Sequence, residues 1–280
     1  MRIITRTLSG SAVQTALLLG LPYTTAEQST LNEKFDIEPA TDLNNVIPWV
    51  KYFCIGDHGH RVITGADGIP YTSPINHRAS DAALFNHLPF LLREVTEDLT
   101  LAQREPYALR KTILVNGVNY IAYYLKRFDV SRVAIELQHT NVVDGTATIT
   151  PFEYTNTNLN PTHPEIPNTG VITTDGNYLT SSAILSILLE ETDVAELVNV
   201  SEILYGTAQR ALISEIGLCS GLDRVVTVPG TTPFNYREAI GVQIATFITG
   251  YYPVGYTNKG FELQIEAGAT EPMLGEGVQA

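Results

Sequence analysis

Apolar and polar positions along this chain change their rhythm near the middle. From Thr112 to Thr150 the pattern is short and β-like: Thr112–Val115 and Val118–Leu125 flank Asn116-Gly117, a dipeptide suited to a type I′ hairpin because both residues tolerate positive φ. Val133, Ile135 and Leu137 then alternate with polar neighbours over Arg132–His139. Across Asp144-Gly145, Thr146–Thr150 completes a second expected hairpin. Earlier, Tyr52–Ile55 and Arg61–Thr64 read as short strands around the turn Gly56-Asp57-His58-Gly59, followed by an irregular Pro/Gly-containing loop over Gly65–Asn76. Residues 1–50 carry no strong period.

Several stretches read as helices. Ser80-Asp81 is placed to cap one running towards Leu92, with Leu84, Leu88 and Leu91 on one face and a kink at Pro89. Leu99–Lys111 is a second, interrupted at Pro106. Thr180–Glu190 places Ile184, Leu185, Leu188 and Leu189 at helical spacing. From Asp193, capped with Glu196, the same period runs to Ile216, with Gly217 as the terminating residue. Val225–Val228 and Phe261–Ile265 read as strands, and Arg237–Thr249 fits either a helix or a buried strand. The expectation is an α+β fold: a mixed domain with antiparallel hairpins in the middle, a helical segment in the second half, and extended arms. Its parts are residues 1–153, an Asn/Pro-rich arm at 154–178, a helical/β region at 179–267 and a tail at 268–280; one single domain overall is also compatible.

Composition narrows the class. Hydrophobic residues are 44% and charged residues 17% of 280, against about a quarter charged in ordinary domains, which excludes intrinsic disorder and coiled coil. A net charge of −13 argues against direct nucleic-acid binding, since phosphate neutralisation needs surplus Lys and Arg. Two distant cysteines, Cys54 and Cys219, fit neither a disulfide framework nor a zinc pair, and read as buried thiols of a reducing compartment. The apolar run Ala12–Leu21 after Arg2 and Arg6 is broken by Gln14 and Thr15, so it reads as neither a signal peptide nor a membrane span.

Catalytic motifs are weak. His58 and His60, on one strand, would face the same way and could chelate a metal, with Asp57, His77, Asp81 or His87 completing a hydrolytic site. The simpler reading is a glycine-rich turn with ordinary hydrogen bonds, and neither a catalytic residue nor a cofactor is expected. There is no nucleophile elbow and no phosphate-binding loop; Cys219-Ser220-Gly221 reads as structural, and Glu190-Glu191-Asp193 as a solvated helix end. Interaction surface is the stronger signal. Tyrosine occurs 14 times, with clusters at Tyr120, Tyr123, Tyr124 and at Tyr251, Tyr252, Tyr256. Tyr offers apolar area with a polar tip, and these six are the expected interface residues. Because side chains alternate along a strand, Tyr123 and Tyr124 are expected on opposite faces with at least one exposed or at an interface. A glycan- or receptor-binding module is the alternative use of such a surface.

The runs Leu114–Phe128 (LVNGVNYIAYYLKRF), Val142–Pro151 (VVDGTATITP) and Asn158–Pro161 (NLNP) resemble segments of virion structural proteins of large contractile-tailed bacteriophages. The order of an N-G-x-x-Y hairpin, a Tyr-rich strand and a V-D-G hairpin ending in Pro carries the resemblance, over about the middle fifth of the chain. It implies a non-enzymatic, copy-repeated component at the neck (head–tail connector), tail or baseplate. Its partners would be other virion proteins and its own copies, with assembly in the host cytoplasm and no membrane association.

Overall fold

The computed structural model describes residues 2–21, 34–38, 48–131, 133–156, 159, 176–228, 234–255 and 259–272. In chain order these form β1 (Ile3–Arg6), α1 (Leu8–Leu19), β2 (Trp49–Gly56), β3 (His60–Thr64), β4 (Pro70–Pro74), β5 (His87–Leu88), β6 (Leu91–Glu94) and α2 (Leu101–Arg104). Then come β7 (Tyr107–Val115), β8 (Val118–Arg127), β9 (Glu136–Val143), β10 (Thr146–Pro151), β11 (Asn177–Leu189), α3 (Glu191–Tyr205), β12 (Leu212–Val228), β13 (Phe234–Pro253) and β14 (Phe261–Pro272). The protein is built mostly of antiparallel sheet with few helices, so the expected α+β mixture is strongly tilted towards β. No described helix is long and apolar enough to cross a membrane.

The chain divides into two compact units, each discontinuous. The first combines Met1–Asp129 with Leu188–Phe261, the second Val130–Ile187 with Glu262–Ala280. The described residues of the Asn/Pro stretch and nearly all of β14 fall in the second unit.

The first unit is organised on an eight-stranded sheet in the order β1-β13-β12-β2-β8-β6, with β5 also on β2 and β7 on β8. Its centre is the long β12–β13 pair, from Leu212↔Pro253 to Val228↔Phe234, with bulges that bend it. Ile213–Gly221 is buried throughout, so both faces of β12 are covered. Such a strand carries apolar residues on both sides and loses the two-residue alternation by which a half-exposed strand is recognised. That is why its first residues read as the end of a helix. Gly217, expected as a helix terminator, instead sits mid-strand, where a Cβ would meet Cys54 Sγ at 2.8 Å.

The Asn116-Gly117 and Asp144-Gly145 hairpins form as expected, with φ of 50° and 84° in the first and 50° and 76° in the second. The expected helix towards Leu92 is absent: β5 and β6 occupy it, separated by the Pro89 that cannot donate to a helix. Of the Leu99–Lys111 helix only α2 forms before the chain turns into β7. α3 starts three residues earlier than expected, because Glu190 and Asp193 form the capping box. It stops at Gly206, whose φ of 74° is the left-handed cap. Val194, Leu197 and Val200 bury its inner face. Arg93 on β6 grips Glu196 through two hydrogen bonds, and Lys126 on β8 reaches Asp193 at 2.5 Å.

The core gathers Tyr52, Leu92, Leu125, Val200, Val242, Ile244 and Phe247. Cys54 and Cys219 lie within it as free thiols, their sulfurs 3.8 Å apart. On β13 rests α1. Thr7 caps it by accepting the Gly10 amide at 2.9 Å, and its hydroxyl donates to the Ile244 carbonyl at 2.5 Å. Only a glycine fits at position 10, since a Cβ there would stand 2.2 Å from the Ala245 carbonyl oxygen. The outer side of α1 and the residue beyond it expose Leu8, Leu17, Leu18, Leu19 and Leu21.

The second unit is a four-stranded sheet in the order β10-β9-β11-β14. The helix expected over Thr180–Glu190 is β11: Ile187 and Leu189 point inwards while Ile184 and Leu188 are about half exposed. Apolar residues on both faces of a strand gave the stretch its helical spacing.

Candidate functional site

The histidine-bearing turn proves to be the outer part of a buried ionic network centred on Glu215. Glu215 lies on β12 between Ser214 and Ile216, has no solvent exposure, and its carboxylate accepts four hydrogen bonds. Three come from backbone amides: His58 at 3.0 Å, Phe85 at 2.8 Å and Asn86 at 3.3 Å. The fourth contact is His77 Nε2 at 2.9 Å. The His77 ring is itself held between Phe85 and Phe247, at centroid distances of 4.1 and 3.9 Å and nearly parallel to both. Its Nδ1 meets Asp81 Oδ2 at 3.2 Å. Carboxylate oxygens thus stand at both ring nitrogens.

A second buried carboxylate, Asp57, contacts His58 Nδ1 at 2.6 Å and accepts from Asn86 Nδ2 at 2.7 Å and from the Tyr205 hydroxyl at 2.8 Å. Burial and the neighbouring Asp57 charge together push the Tyr205 phenol well up. The two carboxylates thus staple the 57–59 turn and the 84–87 segment onto β12. Close approach is permitted by Gly59, where a Cβ would come within 2.4 Å of the Ser214 carbonyl oxygen.

The two histidines of the His-x-His motif do not share a strand. His58 lies in the turn with its side chain 55% exposed, while His60 opens β3 and packs edge-on against Tyr251 at 5.1 Å. Burial lowers the His60 pKa. His87 accepts the Leu84 amide at 3.1 Å and packs edge-on against Phe35. His58 and His77 are thus held by carboxylates. Among the described residues His60 and His87 each keep a buried Nδ1 without a hydrogen-bond partner, and no three His, Cys, Asp or Glu are grouped to hold a metal ion. Glu215 itself escaped the sequence reading because it falls in a run assigned to a helix end. An acidic residue amid the apolar stretch Leu212–Leu218 was the available signal.

The tyrosine clusters are placed differently from expectation. Tyr123 and Tyr124 are both buried, at 1% and 7% exposure, because β8 is covered on both faces. Tyr123 donates to Asp98 at 2.8 Å and Tyr124 packs on Phe35. Neither is available as an interface residue, which corrects the expectation that one would be exposed. Tyr120 and Tyr252 are half-buried, the latter against Phe261. Tyr251 is exposed at 46%, and Tyr256 lies outside the described residues.

Two further carboxylates each hold several cations. Asp98 receives Arg104 and Arg110 together with Tyr123 and the Leu99 amide. Asp223 receives Tyr52 and Arg127, with Lys51 at 3.7 Å. Burial raises the pKa of both acids, but these donors and charges outweigh it and hold both below the usual aspartate range. Both therefore bind protons less readily folded than unfolded, so their stabilisation is complete above the unfolded pKa and disappears as the pH falls through the folded values. Thermal midpoints should be level near neutrality and drop below about pH 4. Asp98→Asn should lower the neutral-pH midpoint and flatten that drop; an equally steep drop in the variant would contradict the assignment.

The fold and this network define an antiparallel-sheet protein whose inner titratable groups serve to fasten loops to a central strand pair. The chain belongs to a family of unknown function, DUF7208, whose match spans residues 1–280. No curated protein and no solved structure matches it.

Proposed function

We propose that the chain is a non-enzymatic structural subunit of a tailed-bacteriophage virion, at the neck or the tail and baseplate, assembling with its own copies and other virion proteins. In this reading it is made in the host cytoplasm and carried in the particle. The observation that carries the assembly part is the sheet of the second unit. All six residues of β10 are exposed, and no residue of β9 is fully buried. A sheet is stabilised by burying at least one apolar face, at roughly 25 cal/mol per Å². Val143 and Ile149, each 60% exposed, place apolar side chains on the two opposite faces of this hairpin, and neighbouring subunits would cover them. The exposed leucines of α1 offer a second such area on the first unit, and the order of hairpins resembling contractile-phage virion proteins supplies the particle.

The extended-arm part of the reading needs revision at the C-terminus. Residues 268–272 belong to β14, where the Thr180 and Thr270 hydroxyls meet at 3.0 Å. The arm at 154–168 and residues 273–280 fall almost wholly outside the described residues.

Sedimentation across a wide concentration range tests the proposal, with a Val143→Lys, Ile149→Lys double variant beside the wild type. The wild type should form a discrete oligomer, and the variant should dissociate at least tenfold more readily while keeping its circular dichroism spectrum, since each lysine removes on the order of 1.5 kcal/mol of apolar burial. A wild type that stays monomeric at every concentration, with β9–β10 amides as protected from exchange as those of β12–β13, would overturn it.

A further inference from the structure

Beside the Asp98 and Asp223 clusters lies a cavity of about 640 Å³, within the size range of small-ligand sites. Four arginines line it: Arg104, Arg110, Arg127 and Arg237. In a chain with 17 basic and 30 acidic residues this is a marked local concentration of positive charge. The neighbouring acids leave it in excess. Arg104 and Arg110 share the single carboxylate Asp98, and Arg127 shares Asp223 with Lys51. The wall acids are Glu105 and Glu238, and Glu238 shares Arg224 with Glu38, so the excess of positive charge is about one.

Two of these cations have hydrogen-bonding capacity to spare. Arg237 is exposed, and its side chain has no partner among the described residues; only its carbonyl is used, accepting from Arg127 Nη2 at 3.1 Å. Arg127 is held by the Glu105 and Tyr107 carbonyls at 3.0 and 2.7 Å, yet its Nε is buried without an acceptor. A buried donor left unsatisfied costs free energy, and a bound anion would supply the missing acceptor. Guanidinium groups match the geometry of oxyanions through paired N–H donors. Apart from the amide of Asn235 the rest of the wall is aromatic and aliphatic, with Tyr107 and Tyr236 half-buried on it.

We propose that this cavity binds a small organic phosphate carrying a flat ring, its phosphate between Arg127 and Arg237 and its ring along the tyrosine side. A phosphate is preferred to a carboxylate because its several terminal oxygens can accept from both guanidinium forks at once. The inference is independent of the virion reading and rests on the cavity alone.

Calorimetric titration of the full chain with adenosine monophosphate, inorganic phosphate and adenosine tests it. Adenosine monophosphate should bind saturably and more tightly than either part, and raising the salt concentration should weaken it. Arg237→Ala should weaken it about tenfold or more, as expected for losing a charge-assisted hydrogen bond. The thermal midpoint should stay unchanged, because the Arg237 side chain has no hydrogen-bond or ion-pair partner among the described residues. Arg237→Lys should restore only part of the affinity, keeping the charge and losing the fork. No binding at millimolar adenosine monophosphate, or equal binding by Arg237→Ala, would overturn the site. Inorganic phosphate binding as tightly as adenosine monophosphate would overturn the ring half of the assignment.

Discussion

Replacing Glu215 by alanine should destabilise the protein by about 3–5 kcal/mol, because it leaves several buried donors without their acceptor at once. The carboxylate is unexposed and collects three backbone amides and His77. Without it, the His58, Phe85 and Asn86 amides lose their acceptor in a place water does not reach, and the His77 ring keeps only Asp81. Each unsatisfied group costs roughly 1–3 kcal/mol. Glu215→Gln should cost less, since its carbonyl oxygen still accepts while its amide faces donors. Denaturant midpoints of the two variants measure the difference. A loss below about 1 kcal/mol for Glu215→Ala would mean that the network is not what fastens these loops.

Phe247→Ala should be comparably costly, about 3–5 kcal/mol, because it empties a core position and removes one of the two rings that sandwich His77. Phe247 is 1% exposed and its ring centroid is 3.9 Å from that of His77. A cavity there would admit water next to the Glu215–His77 pair, so the variant should also expose His77 to exchange that the wild type blocks. Phe247→Leu keeps most of the volume and should cost less than half as much. Equal losses in the two variants, by thermal or chemical unfolding, would show that the stacked ring and not the filled volume carries the cost.

These two residues illustrate where local pattern stopped being informative. The hairpins at Asn116-Gly117 and Asp144-Gly145 were legible because a type I′ turn needs positive φ at two adjacent residues, a requirement written in the residue types themselves. The buried cysteines and the Gly-rich turn before β3 were legible for similar reasons. The helices assigned to Thr180–Glu190 and to the stretch before Gly217 failed because β11 and β12 carry apolar residues on both sides. β12 is covered on both faces and has no two-residue period to display, while β11 carries the apolar Ile184 and Leu188 on its exposed face, and either kind of run fits helical spacing equally well. Tyr123 and Tyr124 follow from the same cause: alternation separates them, but it does not say whether each face is covered.

By itself the sequence determined the turn chemistry, the acidic charge balance and the β character of the middle third, since each depends on residue type or on neighbours a few positions away. Only the tertiary structure decided that Glu215 meets His77, His58 and Phe85, and that Arg104, Arg110, Arg127 and Arg237 share one cavity. Those groups come from segments separated by up to 157 positions, as with His58 and Glu215. Strand order and register bring them together, and these are set by which faces of a sheet are buried rather than by any local run of residues.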